Sequence, residues 1–280
     1  MIAAAIVGAA LALGAPAGTA AGAAAPPAAV HFAVKGDWGN GSRAQAAVTR
    51  RMCAEGRRRP YAFVLTTGDN FYDPDGVATA RNFWRPERCL RAQRVRWRAA
   101  WGNHDVAGDG TATALASPRR HYAFAAGPAR VIVLDGNDPA SSAQAAFLRS
   151  QLRAARQPVR IVAFHQPIYT AGIHPPAEEA RRRWEPIMRA GGVSLVLQGH
   201  NHAYERLEAG GITYITTGGG GAQLYPCIRP SPELRTCRFA NHFLDVTATA
   251  TQVVVRAITP SGGTLERVRI DASRARAESP

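Results

Sequence analysis

The chain has 280 residues, 46% of them hydrophobic, which is enough for one sizeable domain with a buried core, although two small domains also fit. The formal net charge of +14 favours anionic ligands or surfaces, or else reflects an arginine-rich solvated surface. No helix-turn-helix, zinc-finger or aromatic–basic motif accompanies this charge, so specific nucleic-acid binding is not indicated.

The N-terminal segment is apolar and contains no charged residue before Lys35. Its stretch from Ile2 to Leu13 is short for a membrane span, and small residues typical of cleavage sites follow, such as Ala21-Gly22-Ala23. Residues 1–25 are therefore predicted to be a signal peptide, or an uncleaved anchor because the usual basic start is missing. We expect a secreted or cell-envelope protein with no stable membrane span.

Apolar runs alternate with helical patterns in the following residues, and we expect one domain from 30 to 272. The predicted strands are VHFAVKGD (30–37), YAFVLTTGD (61–69), VRWRAAWGNHD (95–105), ARVIVLDG (129–136), VRIVAFHQP (159–167) and VSLVLQGHNHAYER (193–206). Helices are predicted at 43–56, 78–87, 141–156 and 177–190. The first helix has Ser42 as its N-cap, with Gln45 three residues on.

The last third of the chain changes character. GITYITTGGGG (211–221) and HFLDVTATATQVVVRAIT (242–259) alternate at period two with no helix between them, which predicts antiparallel strands. Residues 273–280 are polar and are predicted to be a frayed tail. The order of elements predicts an α/β domain with mixed sheets, whose strand carboxyl ends open on a common edge.

Four cysteines are present, an even number without a CxxC metal clip: Cys53, Cys89, Cys227 and Cys237. This pattern fits an exported protein with disulfides. Of the three possible pairings, Cys227 with Cys237 would close a proline-rich loop and stabilise the protein by about 3 kcal/mol on a loop-closure estimate. Free buried thiols are the alternative.

Side chains that can bind metals follow five of the predicted strands. In strand order they are Asp37, Asp69 with Tyr72, Asn103, His165, and His200 with His202. Each of these residues, taken alone, is more often a turn or rim residue than a metal ligand. If none were a ligand, however, five strands would have to end in such residues by coincidence. Oxygen and imidazole donors without thiolate indicate iron, manganese or zinc. Seven ligands suit two ions, which a shared carboxylate would hold about 3.5–4 Å apart.

Taken together, five short motifs resemble the signature of the purple acid phosphatases, within the calcineurin-like metallophosphoesterase superfamily. The motifs are Asp37-x-Gly39, Gly68-Asp69-x-x-Tyr72, Gly102-Asn103-His104-Asp105, Val162-x-x-His165 and Gly199-His200-x-His202. "GDWG", "GDNFY" and the short chain are most similar to the small, tartrate-resistant type. The resemblance implies a four-layer α/β/β/α sandwich with two mixed β-sheets.

The resemblance also implies a role for each ligand. It assigns Asp37, Tyr72 and His202 to Fe(III), Asn103, His165 and His200 to a divalent Fe, Zn or Mn ion, and Asp69 to a bridge between them. In the wider superfamily the first motif is Asp-x-His, whereas here Gly39 occupies the histidine position and Tyr72 takes its place. A phenol with a pKa of about 10 needs a strongly charged cation to lose its proton. The alternative is that Tyr72 is a rim aromatic packed on Phe71.

Two further histidines are implied to act on substrate: His104, beside Asn103, and His174, nine residues after His165. His174 fits an ordinary loop histidine as well. The implied activity is that of an acid phosphatase, a hydrolase of small-molecule phosphate monoesters. It would use metal-activated hydroxide, with a histidine protonating the leaving alcohol. His31, His121 and His242 match no motif.

Two other functions remain open at this level. One is a metallophosphodiesterase with the same metals, which the combination of Gly39 and Tyr72 disfavours. The other is an exported protein that binds metal and phosphate without catalysis, and the presence of every ligand and of His104 disfavours it.

Overall fold

The computed structural model describes residues 28–272 together with residues 1, 2 and 4. Most of the predicted signal segment, residues 1–25, and all of the predicted tail, residues 273–280, lie outside the described residues, so both remain predictions. Within the described part of the chain, no helix has the length and apolar character needed to cross a bilayer.

Residues 28–272 form thirteen strands. In chain order they are β1 (Val30–Lys35), β2 (Val64–Thr66), β3 (Trp97–Ala99), β4 (Tyr122–Ala126), β5 (Ala129–Val133), β6 (Val159–Ala163), β7 (Leu195–Gln198), β8 (Tyr204–Ala209), β9 (Ile212–Thr217), β10 (Leu234–Arg238), β11 (Phe243–Ala248), β12 (Gln252–Ile258) and β13 (Thr264–Asp271). The helices are α1 (Arg43–Arg58), α2 (Arg88–Ala92), α3 (Gly110–Thr113), α4 (Ser142–Ala154) and α5 (Glu178–Ala190), with a π-helical turn at Ala80–Trp84 and a 3-10 turn at Asp105–Ala107.

The strands form two mixed sheets, as the sequence predicts. The first has the order β13-β12-β11-β1-β2-β3, in which β1, β2 and β3 are parallel and the other pairs are antiparallel. The second has the order β10-β8-β9-β7-β6-β5-β4, with a parallel centre from β9 to β5 and antiparallel strands outside it. The antiparallel pairing predicted for the last third of the chain is found for β11 and β12, whereas β9 is antiparallel to β8 and parallel to β7.

Side chains of the central strands alternate between the core that lies between the sheets and an outer core beneath the helices, because successive residues of a strand point to opposite faces. In β1, Phe32 and Val34 lie in the core between the sheets, whereas Ala33 packs with α1 and α2. In β6, Ile161 lies between the sheets, whereas Val162 packs with α4 and α5. Helices therefore cover both outer faces, which confirms the four-layer α/β/β/α sandwich.

Three helices form where they are predicted, namely α1, α4 and α5. Ser42 caps α1, and its hydroxyl accepts a hydrogen bond of 3.0 Å from the Gln45 N–H. The Gln45 side chain does not complete a capping box, since its Oε1 accepts from the Gly41 N–H instead.

The helix predicted over 78–87 is wrong in its bounds. A π-helical turn forms at Ala80–Trp84, and α2 begins only at Arg88. Pro86 has no N–H to donate to the carbonyl of Asn82, and the Gln45 Nε2 donates to that carbonyl instead, at 2.7 Å. The missing donor interrupts the helical ladder at this point.

Two disulfides are present, Cys53–Cys89 and Cys227–Cys237. The first joins α1 to α2, and the second ties the connection after β9 to β10. The structure thus selects one of the three pairings that the sequence allows.

His242 is fully buried beside the end of β9. Its Nδ1 lies 2.9 Å from the Ala240 carbonyl oxygen and its Nε2 lies 3.1 Å from Thr217 Oγ1. Burial lowers the pKa of His242 to about 4, because a charged imidazole would lose its hydration there. The histidine is therefore neutral in the folded protein at pH 5.

We expect this histidine to weaken the fold in acid. Between a reference pKa of about 6.5 and the folded pKa of about 4, the unfolded state binds a proton that the folded state does not. The free energy of unfolding should therefore decrease by about 3 kcal/mol as the pH is lowered through this range. His242→Gln removes the titration and should flatten this dependence in urea unfolding between pH 7 and pH 4. The exposed His121, changed to Gln, is the matched control, and an unchanged pH dependence in His242→Gln would contradict the assignment.

Candidate metal centre

The predicted ligands lie on loops that directly follow five strands. The first sheet contributes Asp37 after β1, Asp69 and Tyr72 after β2, and Asn103 after β3, and the second sheet contributes His165 after β6 and His200 and His202 after β7. Within each sheet these strands are parallel to one another, so their carboxyl ends reach the same edge of that sheet. The structure brings all seven side chains together at this edge.

Two groups of donors share one carboxylate. Asp37, Asp69 and His202 have ligand atoms within 4.8 Å of one another, and so do Asp69, His165 and His200. Asp69 belongs to both groups. This arrangement can hold two cations with Asp69 between them.

Tyr72 and Asn103 each lie beside one of the two donor groups. The Tyr72 hydroxyl lies 2.9 Å from His202 Nε2 and 3.5 Å from Asp37 Oδ1. The Asn103 Oδ1 lies 3.1 Å from His165 Nε2, in the other group. The side chains therefore fall into the two groups that the family resemblance implies, and their role as ligands remains a prediction.

The imidazoles of His165 and His202 are oriented by backbone carbonyls. His165 Nδ1 lies 2.8 Å from the Thr67 oxygen, and His202 Nδ1 lies 2.6 Å from the Gln223 oxygen. Each Nδ1–H donates to its carbonyl, which directs Nε2 towards the carboxylates, in the orientation of a metal ligand. Histidine ligands of metals are commonly held in this way.

Asp69 and His165 form a buried ion pair. Burial opposes the ionisation of Asp69, but His165 and the His104 N–H outweigh it, and the pKa of Asp69 lies well below its usual value. Burial also opposes the protonation of His165, and Asp69 overcomes this effect and raises the pKa of His165 to about 10. In the protein by itself, a proton therefore lies between Asp69 and His165, and a bound cation would displace it.

Tyr72 and His200 are both favoured in their neutral forms. Burial, followed by the charges of Asp37 and Asp69, raises the pKa of Tyr72 well above its usual value. Burial and the neighbouring His165 lower the pKa of His200 to about 3. A neutral imidazole binds a metal without losing a proton, whereas the phenol needs a strongly charged cation to deprotonate it.

Three ligand candidates have left-handed backbone conformations: Asp37 (φ 57°), Asp69 (φ 48°) and His200 (φ 70°). Such angles are uncommon outside glycine and are often found at functional sites. Hydrogen bonds stabilise these turns. The His200 N–H donates to both carboxylate oxygens of Asp37 at 3.0 and 3.1 Å, and the His104 N–H donates to Asp69 Oδ1 at 3.0 Å.

Asp105 is a residue whose role the sequence analysis missed. Its carboxylate accepts hydrogen bonds from the N–H groups of Asn70 (2.9 Å), Phe71 (3.1 Å) and Gly102 (2.7 Å). It thereby connects the loop after β2 to the loop after β3. Its position at the end of the "GNHD" motif was the available signal.

Both histidines assigned to substrate lie at the opening of the site. The exposed His104 has its ring 4.5 Å from the ring of Tyr72, and the half-buried His174 has its ring 4.2 Å from that of His200. They therefore lie over different donor groups. Tyr225, which the sequence analysis missed, stacks on His202 at 4.3 Å. It lies beyond the last motif, so no motif pointed to it.

The three histidines that match no motif make other contacts. His31 pairs with Asp245, His121 contacts Phe147, and His242 is buried as described above.

Gly39 explains why the first motif lacks a histidine. A Cβ atom at this position would lie 1.7 Å from the carbonyl oxygen of Asn70, so no side chain fits. The Gly39 carbonyl also accepts a hydrogen bond of 2.9 Å from the Tyr72 N–H. The close approach of the two loops brings Tyr72 to the position where it contacts Asp37 and His202.

We expect Gly39→Ala to separate these loops. The added methyl must displace backbone, which should lower the free energy of unfolding by about 3 kcal/mol, measured by urea unfolding. Gly263→Ala is the matched control, because its Cβ would find its nearest atom at 3.4 Å. Equal stability of the two variants would contradict the close contact at Gly39.

The chain is similar to known phosphatases in sequence. It is 27% identical over 244 residues to tartrate-resistant acid phosphatase type 5 of Rattus norvegicus, covering 70% of this chain and 74% of that protein. It is 26% identical over 234 residues to purple acid phosphatase 17 of Arabidopsis thaliana, covering 68% of each.

Solved structures show the same fold. Purple acid phosphatase PPD1 of yellow lupin (Lupinus luteus) superposes with a TM-score of 0.70 at 16% identity, covering 88% of this chain and 55% of that one. GAP50, described as the anchor in the inner membrane complex of Plasmodium, superposes with a TM-score of 0.75 at 19% identity, covering 90% and 95%.

A family model described as "Calcineurin-like phosphoesterase" matches residues 30–204, which include every predicted ligand. The resemblance to the purple acid phosphatases within this superfamily is confirmed by the named relatives. The chain belongs to the calcineurin-like phosphoesterase family.

Proposed function

We propose that the protein is an exported acid phosphatase with two metal ions, which hydrolyses phosphate monoesters of small molecules. The observation that carries this proposal is the pair of donor groups that share Asp69. A shared carboxylate suits two ions at the spacing used for phosphoryl displacement. The relatives named acid phosphatases support the choice of reaction.

The ligand assignment follows the two groups. Asp37, Tyr72 and His202 would hold Fe(III), Asn103, His165 and His200 would hold a divalent Fe, Zn or Mn ion, and Asp69 would serve both. The donor chemistry supports this, because a phenol and carboxylates suit a hard trivalent ion, and imidazoles suit a divalent one. When bound, the two ions supply Lewis-acid activation of the phosphate ester and of the attacking water.

His104 and His174 act on the substrate from the opening of the site. Burial and the neighbouring His202 lower the pKa of His174, so this imidazole is suited to hydrogen bonding rather than to protonation of substrate. The exposed His104, at the opening of the site, is the better candidate to protonate the leaving alcohol.

Export is supported by two observations. Both cysteine pairs form disulfides, which are typical of proteins outside the reducing cytosol. The apolar segment 1–25 has the composition of a signal peptide or anchor.

The first test compares an aryl phosphate monoester with the matching diester, both at pH 5, using metal-loaded protein. We expect turnover of the monoester, and a loss of about 100-fold in kcat for His104→Ala, since general acid catalysis typically contributes this much. His121→Ala is the control, because this exposed histidine contacts Phe147 and none of the ligand candidates.

Two results would contradict the proposal. Turnover of the diester alone would indicate a metallophosphodiesterase. Absence of turnover of either ester, with two metal ions per chain confirmed by elemental analysis, would indicate a protein that binds metal and phosphate without catalysis.

A second prediction concerns Tyr72 as an iron ligand. A phenolate bound to Fe(III) absorbs visible light, so the iron-loaded protein should be coloured and Tyr72→Phe should lose this absorption band. Tyr122→Phe removes a phenol that donates to the Ala99 carbonyl away from the ligands, and it should keep the band. A coloured Tyr72→Phe protein would show that another residue is the ligand.

A further inference from the structure

A segment beyond the last motif forms part of the wall of the site. Tyr225 lies in the connection between β9 and β10, and its N–H donates to the His202 carbonyl at 3.0 Å. Its ring stacks on the His202 ring at 4.3 Å with an interplanar angle of 13°. The same ring meets the His174 ring edge-on at 5.5 Å. Tyr225 therefore lies between a ligand candidate and a histidine assigned to substrate.

This segment is attached firmly to the rest of the site. The Cys227–Cys237 disulfide fixes it to β10. The N–H groups of Ile228 and Arg229 both donate to the Ala171 carbonyl, at 2.8 and 2.9 Å, and the Arg229 guanidinium donates to the Ile173 carbonyl at 2.8 Å. The segment thus holds the loop that leads to His174 as well as Tyr225.

The ring contacts place Tyr225 in the wall of the site, and its hydroxyl is available to a ligand. Among the described residues, none forms a hydrogen bond with this hydroxyl, and the side chain is only half-buried. A hydroxyl donor without a partner, beside two histidines of the site, fits an anionic ligand.

We propose that Tyr225 is a substrate-binding residue whose hydroxyl donates a hydrogen bond to the phosphate group of the ester, between His202 and His174. This inference rests on the proposed phosphatase function. The phenol acts as a hydrogen-bond donor only and forms no covalent bond. The disulfide-closed segment has the role of positioning this donor.

The test separates the hydroxyl from the ring. Tyr225→Phe keeps the stack on His202 and removes only the donor, so its thermal unfolding and its metal content should match the wild type. Because a hydrogen bond to a charged group is lost, we expect kcat/KM for an aryl monoester to fall about tenfold and inhibition by inorganic phosphate to weaken about tenfold. Tyr122→Phe is the matched control and should change neither value.

A second variant tests the segment itself. Replacing Cys227 and Cys237 together by serine frees the segment and leaves Tyr225 in place, and we expect weaker inhibition by inorganic phosphate, in the same direction as for Tyr225→Phe. Unchanged inhibition in this double variant would contradict the positioning role of the segment.

The outcomes distinguish this inference from the proposed function. An active wild type with an equally active and equally inhibited Tyr225→Phe would overturn the inference alone. An inactive, metal-loaded wild type would overturn the proposed function and the inference with it.

Discussion

The hydrogen bonds from the His200 N–H to the carboxylate of Asp37 connect the two sheets at the point where the site forms. Asp37 follows β1 of the first sheet and His200 follows β7 of the second. The apolar core between the sheets holds them together, but apolar burial is not directional. The directional contacts at Asp37, together with the contact of His165 Nδ1 with the Thr67 carbonyl, set the relative position of the ligand candidates of the two sheets.

The same region carries much of the local strain and buried charge of the protein. Three ligand candidates have left-handed φ values, and Asp37, Asp69 and His165 are almost completely buried. A protein tolerates backbone strain and buried charge where hydrogen bonds or ion pairs offset their cost. The carboxylate of Asp105 provides such hydrogen bonds for the loops after β2 and β3. The fold thus places its stability in the apolar core between the sheets and in the cores beneath the helices, and its strain at the strand ends, where metal binding would relieve the charge.

The parts of the structure that follow local rules were predictable. Central strands are buried on both faces and read as continuous apolar runs, so β1, β6 and β7 were recognised. The strands β4, β10 and β13 were missed because they lie at sheet edges and are largely half-exposed, which leaves only a weak apolar pattern. The error over 78–87 also has a tertiary cause, since Gln45 donates to the carbonyl that Pro86 leaves free.

The sequence by itself determined the types of the ligand candidates and their places at strand ends, because each motif joins a strand to its own loop within a few residues. Only the tertiary structure decided which residues complete the site. Asp105 acts on a loop 35 residues away, and the disulfides select their partners by the packing of elements that are distant in the chain. Tyr225 reaches His202 because a disulfide-closed segment folds back over the site, and no local pattern encodes that path.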